Sequence, residues 1–422
     1  KEYLTSTQET ESKTLDALLD SMFGQHKKAY AEFKRSIQSE VNYMVKEFEC
    51  KKSAAAYSRA STARTGVLDC TKLHTYKYNE DLFKKINVIP DGKNHGMIML
   101  LDWSGSMAHN LQGTLNQLYN IIWFCNQVKI PFEVFAFSNS YGTPNSLGAH
   151  VDNFSKITTP KSGEYKLRVN LLQFFSSKMN KNEIQTMMHN LNMYASRWGG
   201  YKDWREVGYP YSEPRGFGLG STPLNDAIIC AMDILPKYKK STGVQKLHTV
   251  FLTDGAGDSM SDVHHVHETE NGDVMGEGRM SSYFRGTTII TDSITGKSVE
   301  TNNENLWRGQ TGMLLELLRK RVPDMNVLGF FVAGSGRKGT VKPDTLRYAV
   351  DGWRYEYRDS DKIRNALKEL KNNNVFVAKS KGYDEYYILP GSMKTEEFEL
   401  SDDLVGASKA KLKTAFGKSI GA

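Results

Sequence analysis

The chain has 422 residues, 39% of them hydrophobic and 24% charged, with a net charge of +7. That length holds two or three domains or one enlarged α/β domain, and the apolar share supports a real core. The basic residues are scattered without a block of like charges, so nucleic-acid binding is not indicated, and no apolar run approaches a membrane span. Cys50, Cys70, Cys125 and Cys230 lie far apart without a C-x-x-C pair, which excludes a zinc ribbon or disulfide framework and points to reduced thiols in the cytoplasm.

Residues 1 to about 65 read as helix. Leu15, Leu18, Leu19 and Met22, then Tyr30, Phe33, Ile37, Val41, Met44, Val45 and Phe48, recur at three-and-four spacing. Packing on its own domain is preferred for this helix over a partner-binding role. Next, Met97 to Leu101 is a short apolar run that stops at Asp102 and passes into Trp103-Ser104-Gly105-Ser106. Such a run, ended by a polar turn, predicts a buried strand of a parallel sheet. Ligands of open α/β sheets bind beyond the carboxyl ends of the strands. One carboxylate and two hydroxyls at alternate positions there suit a hard divalent cation, magnesium in particular.

Leu111 to Val128 predicts a helix and Phe132 to Phe137 a second strand. Residues 139 to 163 read as irregular, with a short edge strand near Val151. Leu167 to Ser176 and Asn182 to Tyr194 read as helices. From Ser196 to Gly220, Trp198, Tyr201, Trp204, Tyr209, Tyr211 and Phe217 alternate with six glycines and two prolines. A loop of this length is functional or disordered, and its aromatic content argues against disorder; partner contact and surface packing both remain open. Thr222 follows, just before a helix that begins near Pro223 and runs from Asn225 to Tyr238. Thr249 to Thr253 is another apolar strand, ending in Asp254.

Beyond Asp254, residues 255 to 305 form an insertion carrying His264, His265, His267 and Glu268. This order is not H-E-x-x-H, and histidines clustered on a loop are more often solvated than metal-bound. Thr287 to Ile290 and Lys297 to Glu300 predict a hairpin around Thr295-Gly296. Leu306 to Val322 reads as helix and Val327 to Ala333 as a buried strand. The glycine-rich turn from Gly334 lacks Walker spacing. Asp361 to Lys371 is predicted helical, and Val375 to Lys379 and Glu385 to Leu389 predict late strands or a hairpin. The organisation is a helical region at 1–92, a main domain at 93–390 with insertions at about 139–220 and 256–304, and a polar tail at 391–422.

Asp102, Ser104, Ser106, Thr222 and Asp254 come in the order Asp-x-Ser-x-Ser, Thr, Asp. This set resembles the metal-ion-dependent adhesion site of von Willebrand factor A domains, with all five positions matched. The resemblance implies a Rossmann-like fold with a mainly parallel central sheet and helices on both faces. It also implies a magnesium ion, with Ser104 and Ser106 as direct ligands. Asp102, Thr222 and Asp254 would bind directly or through water. Between Lys46 and Ala256 the chain further resembles the A-domain subunit of aerobic cobaltochelatase and related proteins of bacteria and their phages. The residues that carry this are Tyr57-x-Arg59, Gly66-x-Leu68-Asp69 and Leu73-x-x-Tyr76, followed by the metal-site strand.

That family implies a cytoplasmic adaptor paired with a MoxR-class AAA+ ATPase, whose metal site takes an acidic residue of a client or partner. The chain has no Walker A lysine, no G-x-S-x-G and no zincin helix, so catalysis by the chain alone is not expected. A structural or virion-associated component using the fold as a binding module is the alternative. A third reading is an enzyme with its site in the histidine-bearing insertion.

Overall fold

A computed structural model describes residues 94–139, 167, 169–196, 217–255, 257–258, 288–301, 309–333, 341–350, 360–373 and 375–390, with most of 28–52. It describes 61–68, 83–88, 263–268 and 274–280 as backbone. Its centre is a seven-stranded sheet. Strands β3 (His95–Asp102), β4 (Phe132–Ser138), β6 (Lys246–Thr253), β11 (Met325–Ala333) and β13 (Glu385–Pro390) are mutually parallel. The edges β5 (Asn170–Ser176) and β12 (Phe376–Ala378) run antiparallel to β4 and β13. The order across the sheet is β12-β13-β11-β6-β3-β4-β5.

Strand β3 is the axis of this arrangement because both of its faces are apolar. Met97, Met99 and Leu101 enter one core, and Ile98 and Leu100 enter the other. A two-residue period cannot do otherwise in an extended strand. The first core is closed by helices α1 (Leu111–Val128) and α2 (Lys181–Ser196), and by Tyr30 and Val41 of the N-terminal helical stretch. The second is closed by α3 (Leu224–Thr242) and α4 (Gly309–Arg321). A third cluster gathers α5 (Pro343–Ala349) and α6 (Asp361–Asn373) on Phe331 and Ile388. Helices on both faces of a mostly parallel sheet make this a doubly wound, Rossmann-like α/β fold.

Local chemistry sets several boundaries. Asn180 accepts the Asn182 and Glu183 amides on Oδ1, while Glu183 accepts the Asn180 amide on Oε2, a reciprocal capping box that starts α2. Gly329 in β11 has no substitute: a Cβ there would stand 2.4 Å from Tyr386 and 2.7 Å from Tyr383.

The structure differs from the sequence expectations at three places. Leu167 to Ser176, expected as helix, contains strand β5. Its register against β4 shifts between Val134 and Phe135, so a bulge buries both Phe174 and Phe175. Two adjacent buried side chains break strict alternation and imitate helical spacing. The helix expected up to residue 65 gives way to strand β1 (Ser61–Leu68), which pairs antiparallel with β2 (Phe83–Val88). Within the expected helix, residues 1–27 lie outside the described residues. The histidine run, expected in a loop, is strand β7 (Val263–Glu268), paired with β8 (Val274–Met280). The hairpin near Thr295 is present as β9 (Thr288–Thr291) and β10 (Ser298–Thr301).

Candidate functional site

From β3 the chain moves outward to β4 and β5, then crosses to β6 on the other side and continues to β11 and β13. The order therefore reverses between β3 and β6. The crevice beyond the carboxyl ends of these two strands is where such folds take their ligands. Asp102 is the last residue of β3, and Asp254 follows the last residue of β6.

A third segment closes over this crevice. Ser104 and Gly220 form a parallel bridge, and Asn139 and Ser221 an antiparallel one. The Gly105 amide donates to the Gly220 carbonyl at 2.8 Å. This lays Gly220 to Thr222 against the turn that follows β3. A Cβ built on Gly255 would sit 3.4 Å from Thr222 Oγ1, so the threonine hydroxyl lies beside the Asp254 turn. The Leu224 and Asp258 amides both donate to the Thr222 carbonyl at 2.8 Å, fixing its backbone.

The side chains form two short hydrogen-bonded chains. Ser106 donates to Asp254 Oδ1 at 2.6 Å, and Ser104 lies 2.9 Å from Ser106, oxygen to oxygen. Separately, Thr253 Oγ1 stands 2.7 Å from Asp102 Oδ2 and donates to it. Asp102 is fully buried, yet its Oδ1 has no hydrogen-bond partner among the described residues. Burial is the main reason that its carboxyl is pushed up to about 7, and the nearby Asp254 charge adds to the rise; the Thr253 hydrogen bond opposes it. Burial raises Asp254 as well. Two carboxylates in one crevice resist ionisation, and a cation between them would compensate both. All five donors are hard oxygens, and one carboxylate oxygen is unspent, so the residues present fit a magnesium-type ion.

The structure thus brings Asp102, Ser104, Ser106 and Asp254 together at the switch point, with Thr222 against the same turn. Sequence reasoning singled out Phe217 in the aromatic loop but missed Thr253 and the partners of Phe217 in an aromatic wall, Trp103, Tyr194 and Phe174. Trp103, fully buried, donates from Nε1 to the Phe217 carbonyl at 2.7 Å, and Tyr194 donates its hydroxyl to the same carbonyl at 3.0 Å. Trp103 also stacks on Tyr194, and Phe217 on Phe174. The signal for Thr253 was its place one step past the Leu101–Leu252 pair of the parallel register, opposite Asp102. That signal needs the sheet order. Residues 197–216 of the aromatic loop and the turn at 334–340 lie outside the described residues. So do Tyr57, Arg59, Asp69, Leu73 and Tyr76, and the side chains of His264, His265 and His267. No cluster of three or more His, Cys, Asp or Glu side chains occurs among the described residues.

A part-buried polar cluster, with His248 at its buried centre, occupies the opposite end of β3, β6 and β11. His95 Nδ1 and His248 Nε2 are 3.0 Å apart, with the rings stacked at 5.3 Å. The Asn326 amide lies 3.5 Å from His248 Nδ1. An Asn326 N–H donating to Nδ1 leaves the proton of His248 on Nε2, from where it reaches His95. Burial pushes His248 down to about 3, helped by the positive charges of His95 and Lys246; burial and Lys246 lower His95 too.

Fold and site together define a doubly wound α/β protein with a carboxylate and hydroxyl crevice at its switch point. No family model matches the chain. No curated protein matches it. Among solved structures, it is similar to the pilus adhesin SpaC from Lactobacillus rhamnosus GG at 14% identity and a TM-score of 0.36. The match covers 78% of this chain and 31% of the adhesin, so the chain spans less than a third of that protein's length. No helix among the described residues is long and apolar enough to cross a membrane.

Proposed function

We propose that this chain is a von Willebrand factor A domain protein that binds an acidic side chain of a partner through a divalent cation, magnesium first, held in the crevice. The observation that carries the reading is Asp102 Oδ1, a buried carboxylate oxygen without a hydrogen-bond partner among the described residues, at the reversal of strand order. Leaving such an atom unpaired costs about 1–3 kcal/mol, which a bound cation removes. Asp102, Ser104, Ser106, Thr222 and Asp254 would hold the ion. When bound, the ion supplies an electrophilic point that takes a carboxylate oxygen from outside.

The chain's own residues do the remaining work. Thr253 holds one oxygen of Asp102, and Ser106 holds Asp254. Three of the five donors are neutral hydroxyls, so the crevice carries less negative charge than an all-carboxylate cage and leaves room for an anionic partner. Ser106 is exposed, which puts that side of the crevice within reach of another protein. The sequence resemblance extends this to an adaptor of the cobaltochelatase-like kind. It would work with a MoxR-type AAA+ ATPase on a client in the bacterial or phage-infected cytoplasm. The test is an affinity pull-down from native lysate with magnesium and ATP, wild type against Asp102→Ala, with partners identified by mass. An ATPase or acidic client retained by the wild type alone supports the reading. The same partners on both, or none on either, sinks it.

A further inference from the structure

Thr253 donates to Asp102 Oδ2 at 2.7 Å; of the hydrogen bonds that favour this carboxylate its own is the largest, ahead of those from Ser104 and the Asp254 amide, and the family motif does not include it. Its hydroxyl also accepts the Gly255 amide at 3.1 Å and lies 3.0 Å from the Gly255 carbonyl. A hydroxyl has one proton and two acceptor positions. The proton has two acceptors within reach, Asp102 Oδ2 at 2.7 Å and the Gly255 carbonyl at 3.0 Å. The charged and nearer one wins, because hydrogen bonds to ionised groups are roughly twice as strong as neutral ones. The Gly255 amide then fills a lone pair.

We infer that Thr253 is a positioning residue of the crevice: it fixes Asp102 through Oδ2, reserves Oδ1 for the cation, and ties the Asp254-Gly255 turn to the same carboxylate. This rests on the metal-site reading. One hydroxyl thus joins the ends of β3 and β6 across the point where the sheet order reverses. Without it, a fully buried carboxylate would lose its strongest donor and the bond that holds Oδ2. Gly255 would also lose the side chain that holds it, and Gly255 is what Thr222 Oγ1 lies against. Residues that orient metal ligands typically carry 10- to 100-fold in metal affinity when removed.

The experiment is a calorimetric titration of the full chain with Mn2+, for wild type, Thr253→Val, Thr253→Ser and Asp102→Asn. The thermal midpoint of each is measured in a chelator. Valine keeps the shape and loses the hydroxyl; serine keeps the hydroxyl. The expected result is that Thr253→Val binds 10- to 100-fold more weakly, Thr253→Ser within about threefold of wild type, and Asp102→Asn not measurably. A merely structural role would lower the midpoint of Thr253→Val in chelator and leave the affinity of the folded protein unchanged, which overturns the inference. Wild-type binding, lost in Asp102→Asn but equal in Thr253→Val, sinks the positioning role alone. No binding by the wild type sinks the metal-site reading with it.

Discussion

Strands β3 and β6 bury polar groups at both of their ends, and the two ends are built differently. At the amino end, His95, His248 and Asn326 satisfy one another across three neighbouring strands. At the carboxyl end, Asp102 is fully buried, whereas His95 and Asn326 are only part-buried, and one Asp102 oxygen has no hydrogen-bond partner among the described residues. Satisfied polar groups specify a structure, whereas an unsatisfied one is a cost that persists where something else binds. The same two strands therefore hold a structural polar cluster below and an open one above.

The comparison breaks most sharply at Asp102. Asp102→Asn keeps the shape and removes the charge. Cation affinity measured by Mn2+ titration should fall at least about 100-fold, about 2.7 kcal/mol. Stability in chelator should hold or rise, because a buried carboxylate that resists ionisation has been removed. A fall in midpoint comparable to that of a core mutation would mean that the carboxyl end is structural after all.

His248→Leu should do the opposite. It removes the imidazole that His95 bonds to and stacks on, and one contact of Asn326, so stability near pH 7.5 should drop by about 2 kcal/mol with cation affinity unchanged. Its pH dependence should also flatten. Both imidazoles are harder to protonate in the folded chain than in the unfolded one, where histidine titrates near about 6.5. Their contribution is complete above that value and is lost as pH falls from there toward the folded value, about 3 for His248. Urea melts of wild type and variant between pH 7.5 and 4 measure this directly. Parallel pH profiles would assign acid sensitivity to other groups.

The smallest effect concerns the crevice wall. Trp103→Phe keeps the ring packing and loses the Nε1 donor, while Tyr194 still holds the Phe217 carbonyl. Urea unfolding should show a loss of about 1 kcal/mol, and Mn2+ affinity should change by less than about threefold. A larger change in affinity would make the wall part of the open cluster.

Much of the carboxyl end was legible in the sequence. An apolar run that ends at a carboxylate marks a strand and its ligand-facing tip, which picks out Asp102, Ser104, Ser106 and Asp254; Thr222 is read from its place just before a helix start and from the family resemblance. Contacts that exist only through register were not legible. His95 and His248 are 153 positions apart, and Thr253 meets Asp102 across 151; neither pair shows until β3 and β6 are neighbours. Strand β5 was hidden by its bulge, which sets Phe174 and Phe175 at three-and-four steps from Leu171 and Leu172.

The central place of β3 has a mechanical consequence. It is laddered on both sides, to β4 from Met97 to Asp102 and to β6 from His95 to Leu101. A pull applied at Asp102 along the strand axis loads both ladders in shear, so many hydrogen bonds must yield together rather than one after another. Phe217, fastened to Trp103 and Tyr194, gives that load a second path into the α2 side of the sheet. A load taken up at the crevice is thus shared between two ladders of the central sheet.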